Sequence, residues 1–351
     1  MRSENEGMAV RVLEGVRVVE IGGMGPGPFA GMVLADHGAE VVTLVRPGRV
    51  RRMYEGRTIF ERGKRSEVAD LKSGPGRARA LELIADADVA VEGFRPGTAE
   101  RLGLGPDDCR AANPRLVYAR MTGWGQDGPL ARHGGHDINY IGLAGYLHQV
   151  GRKGGPPVPP LNIVGDFGGG GLLLAFGIVA ALLDARRTGR GRVVDTAMVD
   201  GVALMMGHYY MPGARLGPRG TNQFDSGVPF YDVYRTADGG YMAVGATGAD
   251  LYARMTETLG VDVSDLPGQH DPAGWPELRE RLTAAFATRT RAEWTEVFAA
   301  VDAAVTPVLD PYEALDHPHH RARGTFVDAG GHREPGPAPR FRELGPGREH
   351  A

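Results

Sequence analysis

A chain of 351 residues with a net charge of −3 is long enough for two domains and carries no global charge bias toward nucleic acid or an anionic membrane surface. Its single cysteine, Cys109, excludes an intrachain disulfide framework and a Cys-rich metal site, and fits a reducing compartment, expected to be the cytoplasm. The first eight residues are polar, so no secretory signal is expected, and Arg348-Glu349-His350-Ala351 is neither a peroxisomal address nor a lipidation box.

Val16 to Ile21 is a short β-rich run, followed by Gly22-Gly23-Met24-Gly25-Pro26-Gly27 and a helical pattern through Phe29, Val33 and Leu34 that stops at Gly38. Glu40 to Val45 reads as a second strand, so the chain opens as a parallel α/β sheet. Gly25, Gly27 and Ala30 match a dinucleotide spacing. Two prolines interrupt it, and the second strand ends in Arg46, where an acidic residue would hold a ribose; the cation suits a phosphate. A strand from Val68 to Leu71, a helix from Arg77 to Ala87 and a strand from Val89 to Glu92 follow, the last emptying into Gly93-Phe94-Arg95-Pro96-Gly97. Leu116 to Arg120 is a further strand, and its exit is the glycine-rich loop Thr122 to Gly135. Ligands of open α/β sheets sit at such carboxyl ends.

Lys153 to Pro160, with four prolines, is a connector that delivers the chain to Asp166. The apolar run Phe167 to Leu183 opens with four glycines, falls just short of a bilayer span and reads as a helix buried in the middle of a domain. Arg186, Arg187 and Gly189 suit its C-terminal end. Val193 to Asp195 and a helix from Met198 to about Tyr209 close a large domain, 1–211. Pro212 to Asn222 is a linker into a small α+β domain, the two together spanning 212–309. There Phe230 to Thr236 and Tyr241 to Ala246 flank a hairpin turn, and three helices follow through Leu251, Met255 and Leu259, through Leu278, Leu282 and Phe286, and through Trp294, Val297, Phe298 and Val301. Val305 to Leu309 starts a return, so that 310–351 rejoins the large domain, and the Pro/Gly-rich tail after Gly330 has little capacity to pack.

His136, in a glycine-flanked loop after a strand and beside Asp137 and Asn139, is placed either as a structural histidine or as a general base. Asp166 is placed as a helix N-cap. That role is compatible with a base kept ionised at the positive pole, with glycine N–H groups nearby for a developing oxyanion. Gly134 and Gly135 make the geometry of His133 and His136 loop-dependent, Pro318 breaks the cluster His317, His319 and His320, and no further ligand lies at recognisable spacing, so no metal site is expected. No nucleophile-elbow motif supports a serine mechanism. Arg46, Arg49, Arg51, Arg52, Lys64, Lys72, Arg95 and Arg101, strung over successive loops, suit either a solvated face or a phosphate-rich ligand.

From about Leu13 to Phe341 the sequence resembles the family III CoA-transferase (CaiB/BaiF) superfamily, in its α-methylacyl-CoA racemase branch. Seven pieces in the family's order carry the resemblance: Val18-Val19-Glu20 with Gly25-Pro26-Gly27-Pro28, Leu34 to Val42, Arg65-Ser66 with Asp70-Leu71-Lys72, Glu92 to Gly97, Arg120 to Pro129, Gly135 to Tyr140, and Gly165 to Gly170. It implies a Rossmann-like large domain, a small domain on long linkers, and two chains interlocked as a homodimer with each site shared between them. It further implies an acyl-CoA thioester as substrate, no cofactor, and no nucleic-acid or membrane partner. CoA would bind at Arg46, Ala69, Asp70, Leu71, Lys72, Gly93, Phe94, Arg95, Arg101, Gly135, Asp137, Ile138, Asn139 and Tyr140. The transferase branch uses the aspartate matching Asp166 as an acyl-carrying nucleophile; the racemases pair that carboxylate with a histidine, here His136. The pair implies 1,1-proton transfer at C2 of a 2-methyl-branched or 2-aryl acyl-CoA through an enolate. CoA transfer through Asp166 is the alternative, and a weakened acyl-CoA-binding homologue the third. The third arises because the racemases' glutamate that contacts the histidine falls, by the register of Met242 to Ala246, at Gly248, with Asp250 or Asp225 as substitutes.

Overall fold

In the computed structural model, which describes residues 10–48, 58–214 and 216–344, six strands form one parallel sheet. They are β1 (Arg17–Gly22), β2 (Glu40–Val45), β3 (Lys64–Val68), β4 (Val89–Glu92), β5 (Val117–Thr122) and β6 (Arg192–Ala197), in the spatial order β3-β2-β1-β4-β5-β6. Strand order reverses between β1 and β4, the switch point at which doubly wound sheets open a crevice for ligands. The runs are apolar because both faces are covered. Val18, Val41, Val89, Val91, Val117 and Ala119 pack with Leu174, Ile178 and Leu182 on one side. Val19, Ile21, Leu44, Ala90 and Tyr118 pack with Ile84, Leu104 and Cys109 on the other, where burial pushes the Cys109 thiol up to about 12.

The chain divides into two units, one comprising Met1–Tyr146, Pro160–His208 and Glu334–Ala351, the other Leu147–Pro159 and Tyr209–Arg333. In the second, β7 (Tyr231–Arg235), β8 (Tyr241–Gly245) and β9 (Val305–Pro307) form an antiparallel sheet, with Tyr231 opposite Gly245 in the hairpin. Helices Ala249–Leu259, Trp275–Phe286 and Arg291–Ala299 cover it, and Phe230, Met242, Met255, Leu282 and Phe286 fill the core between.

Several boundaries differ from expectation. Val305 pairs with Val244 as the third strand of the small sheet, so the return begins at Glu334 and not at 310. The 310–333 stretch stays with the second unit because Arg291 is ion-paired with Glu313 and donates to the Val308 carbonyl, while Arg333 is bonded to Asp316. Residues 147–159 belong there too. Arg152 reaches Asp232 at 2.6 Å and Arg219 donates to the Gly155 carbonyl at 2.6 Å. Burial acts to raise the Asp232 carboxyl, but Arg152 and the Val233 N–H hold it below the usual range. The tail packs after all: Arg62 binds Glu334 and the Pro335 carbonyl, and the His37 ring meets Phe341 edge-on. The strand expected at Val68 to Leu71 is β3, four residues earlier, and 69–72 is its exit loop.

The largest departure concerns the apolar helix. A π-helical segment, Ile163–Leu172, runs into the α-helix Leu173–Thr188, so the continuous helix has 26 residues and is long and apolar enough to cross a membrane, contrary to the expectation that it falls short. Nor is it buried all round. Leu174, Ile178 and Leu182 face the sheet, but Phe176 is 69% and Leu183 72% exposed, with Leu172 and Val179 exposed beside them. Glycines 168–171 have a packing purpose: a Cβ on Gly201 would sit 2.0 Å from the Gly169 carbonyl oxygen, and one on Gly169 2.8 Å from the Val202 nitrogen. Gly201→Ala is therefore expected to cost roughly 1–3 kcal/mol by overpacking. Urea unfolding would register this as a lower midpoint at unchanged slope, and an unchanged midpoint would contradict the close crossing.

Candidate active site

Parallel strands put every exit loop on one edge, and the sequence-predicted residues collect there. Arg46 leaves β2, Ala69 to Lys72 leave β3, Gly93 to Arg95 leave β4, and the loop to His136 leaves β5. The β3 loop splits by burial: Ala69 and Leu71 belong to the core, while Asp70 and Lys72 are exposed. Only the backbone of Ala69 and Leu71 is then offered to a ligand. Arg46, Arg95 and Arg101 are exposed cations, the last bonded to Thr98 Oγ1 at 2.8 Å. Lys64 departs from the expected ligand set, because its ammonium lies buried against Glu20 and donates to the Pro28 carbonyl. Arg49, Arg51 and Arg52 lie outside the described residues. If the exposed cations hold phosphates, Arg46→Ala with Lys72→Ala is expected to raise KM for a CoA thioester about tenfold or more with kcat little changed, the mark of binding shared by ground and transition states. The rise should shrink at high ionic strength.

The β4 loop is anchored by a pair that sequence reading did not single out. Glu92 and Arg120 are register partners on adjacent strands, and Arg120 Nε donates to Glu92 at 2.8 Å while its Nη1 reaches Glu100 at 2.9 Å. The other oxygen of Glu92 accepts the Phe94 N–H at 2.7 Å. Burial pushes the Glu92 carboxyl up. The signal available beforehand was a charge ending each of two otherwise apolar central strands.

His136 is exposed and precedes the helix Asp137–Leu143, its backbone N–H capped by Asn139 Oδ1 at 3.0 Å. Ile138 and Asn139 are exposed; Asp137 and Tyr140 are buried. Tyr140 stacks edge-on with Trp124, and burial, with Asp166 and Asp137 nearby, pushes its phenol up to about 12 against the pull of Arg95. The loops after β4 and β5 thus meet.

Asp166 is not the N-cap expected of it. It lies in the first turn of the π-helical segment, a rare element that recurs at functional sites. Its Oδ2 accepts from the Asn162 side chain at 2.8 Å, an i, i+4 contact that the spacing could have suggested. The neighbouring Gly165 and Asp166 N–H groups are bonded to Asp137, and the glycines beyond are packed against the Met198–Met205 helix and Phe29, so these amides are not the oxyanion donors first expected. Burial raises the Asp166 carboxyl above its ordinary value, where full ionisation at the helix pole was expected. Asn162 pulls it down, Asp137 pushes it up, and His136 pulls it down. A partly desolvated carboxyl therefore stands at the mouth of the sheet, its backbone tied to the residue that follows His136.

Two units carrying a doubly wound sheet and a small antiparallel sheet, with His136 and Asp166 on loops at the large sheet's carboxyl edge, define a class. The CoA-transferase family III profile matches residues 13–344, and the chain belongs to that family. It is 47% identical over 332 residues to an alpha-methylacyl-CoA racemase of Mus musculus, covering 94% of this chain and 85% of the relative. It is 46% identical to the Homo sapiens alpha-methylacyl-CoA racemase, covering 90% and 82%. Among solved structures, a CAIB/BAIF family protein from Brucella suis superposes with a TM-score of 0.81 at 25% identity, covering 94% of this chain and 92% of that one. Rv3272 from M. tuberculosis gives 0.77 at 30%, covering 93% and 92%.

Proposed function

We propose that this chain is an α-methylacyl-CoA racemase that inverts C2 of a 2-methyl-branched or 2-aryl acyl-CoA, with His136 and Asp166 as its two bases. What supports the reading is the hydrogen bond, 2.9 Å long, by which the Asp166 N–H on the π-turn is held by Asp137, the residue that follows His136 in the chain. One base takes the α-proton and leaves its electron pair in the enolate; the conjugate acid of the other returns a proton to the opposite face. The Asn139 N–H of the Asp137–Leu143 helix is bonded to the His136 carbonyl at 2.8 Å, which leaves the N–H groups of Asp137 and Ile138 as the ones we assign to the enolate oxygen, where fixed dipoles lower its cost. The step involves no redox change and no metal, and we assign no cofactor. Arg46, Lys72, Arg95 and Arg101 hold the CoA phosphates.

Catalysis of this kind asks for two bases of nearby pKa, and burial moves Asp166 toward histidine. We further propose a homodimer in which a second copy covers the exposed Leu172, Phe176, Val179 and Leu183, and a cytoplasmic location, supported by the single, buried Cys109. CoA transfer through an Asp166 acyl anhydride is the rival that the family description favours. A 2-methylacyl-CoA incubated with the protein in deuterated water separates the two. Deuterium at C2 without any acceptor acid supports the racemase, and transfer to an acceptor with no exchange sinks it.

A further inference from the structure

Asp137 reaches both members of the pair. It follows His136 in the chain, is 5% exposed, and its Oδ2 accepts the N–H groups of both Gly165 at 2.7 Å and Asp166 at 2.9 Å. Two backbone donors on one buried carboxylate oxygen are charge-assisted bonds, roughly twice as strong as neutral ones. They span 28 and 29 residues of chain and close the loop after β5 onto the π-turn.

We propose that Asp137 is the positioning residue of the proton-transfer pair: its side chain clamps the Asp166 backbone beside His136, and its charge sets the electrostatic environment in which Asp166 works. This rests on the racemase reading and deepens it. A helical turn widened by π geometry has more freedom than an α-helical one, and Asp166 stands near its start, where intrahelical bonds are missing. Without the clamp the carboxyl would wander, and a misplacement of about 1 Å can cost about a hundredfold in rate.

The charge matters as well as the bonds. Asp137 pushes the Asp166 carboxyl up and His136 pulls it down. The elements packed against the π-turn carry further titratable groups: Tyr140 on the same helix as Asp137, Asp36 on the Pro26–Asp36 helix, Tyr118 and Arg120 on β5, Arg192 and Asp195 on β6, Asp184, Arg186 and Arg187 on the Leu173–Thr188 helix, and Asp200 on the Met198–Met205 helix. Of these, Tyr140 is neutral at working pH, and none contributes to the Asp166 shift. For a pair that must carry one proton in total, the acid limb of the rate profile follows Asp166. Removing the Asp137 charge lowers that limb's pKa and widens the profile on the acid side.

Asp137→Asn and Asp137→Ala separate the two effects. Asn keeps an oxygen that accepts both N–H groups, so the expected result is near-wild-type thermal stability with the acid limb of kcat/KM displaced to lower pH. Ala removes the clamp as well, and kcat is expected to fall about 10- to 100-fold, more than KM rises. An unmoved acid limb in the Asn variant overturns the electrostatic half. An Ala variant that folds and turns over like wild type overturns the clamp, and if Ala does not fold, Asp137→Ser takes its place. Carboxyl titration of Asp166 by ¹³C NMR, in wild type and the Asn variant, reads the same displacement without turnover. A displacement between the two proteins, with no C2 exchange in the wild type, therefore sinks the racemase reading and not this one.

Discussion

His136→Ala and Asp166→Asn are each expected to lower inversion at C2 by about a hundred- to ten-thousand-fold, the range of a single well-placed acid or base. Neither should disturb the fold. His136 is exposed, and the cap it makes with Asn139 uses its backbone N–H, which Ala retains. An asparagine side chain at position 166 still offers an oxygen to Asn162, and the backbone N–H there remains free to donate to Asp137. Each variant keeps one base, so each should still wash deuterium into the enantiomer whose α-proton faces that base, without inverting it. Complementary exchange, one enantiomer per variant, is the signature of two opposed bases. Wild-type inversion in either variant would remove that residue from the mechanism. The pair of variants also separates the rival reading, because an acyl anhydride on Asp166 would be lost in Asp166→Asn and would survive His136→Ala.

Introducing charge on the outer face of the long helix is the second large effect. Phe176 and Leu183 lie two turns apart, both more than two-thirds exposed, with Leu172 and Val179 extending the stripe. Each large apolar side chain that a second copy covers is worth roughly 1.5–3 kcal/mol. Phe176→Glu with Leu183→Glu replaces that gain by two carboxylates that would need desolvation, which such an interface cannot supply with partners. The proposed dimer predicts that sedimentation velocity finds a dimer for the unaltered chain and a monomer for the double variant, with near-wild-type secondary structure and racemisation reduced at least a hundredfold. The activity loss follows if, as the family resemblance implies, two chains share each site. A double variant that stays dimeric and active would place the subunit contact elsewhere.

Within the second unit, Gly248 opens the helix Ala249–Leu259, and a side chain there would meet only the distant Leu251 methyl at 3.9 Å. Of its suggested substitutes, Asp225 is committed to its own loop, accepting the Gly220 and Asn222 N–H groups at 2.8 and 2.6 Å. Asp250 stands in the first turn of that helix.

Much of this was local and therefore legible. Alternation of apolar runs with glycine-rich exits is dictated residue by residue by backbone sterics and by the need of parallel strands for apolar cover. The exits of β1 to β5, and with them Arg46, Lys72, Arg95 and His136, could be assigned to one edge before any coordinates. The small domain's three helices were readable from their spacing because only one face of each is apolar. Local stereochemistry could not supply what depends on pieces distant in sequence. Asp166 looked like a cap because an aspartate before glycines at a helix start usually is one; it became a half-buried acid because Asp137 had already taken the free N–H groups, across 29 residues. The four glycines looked like anion-binding backbone and turned out to be a close helix crossing, decided by Gly201. The helix after them is apolar on every side, and composition cannot say whether the second apolar face meets the protein's own core, a lipid or another copy. Sequence determined which groups this protein owns and on which edge they emerge. Only the packing of remote segments decided which of them act on one another, because charge, burial and hydrogen bonding depend on distance in space and not along the chain.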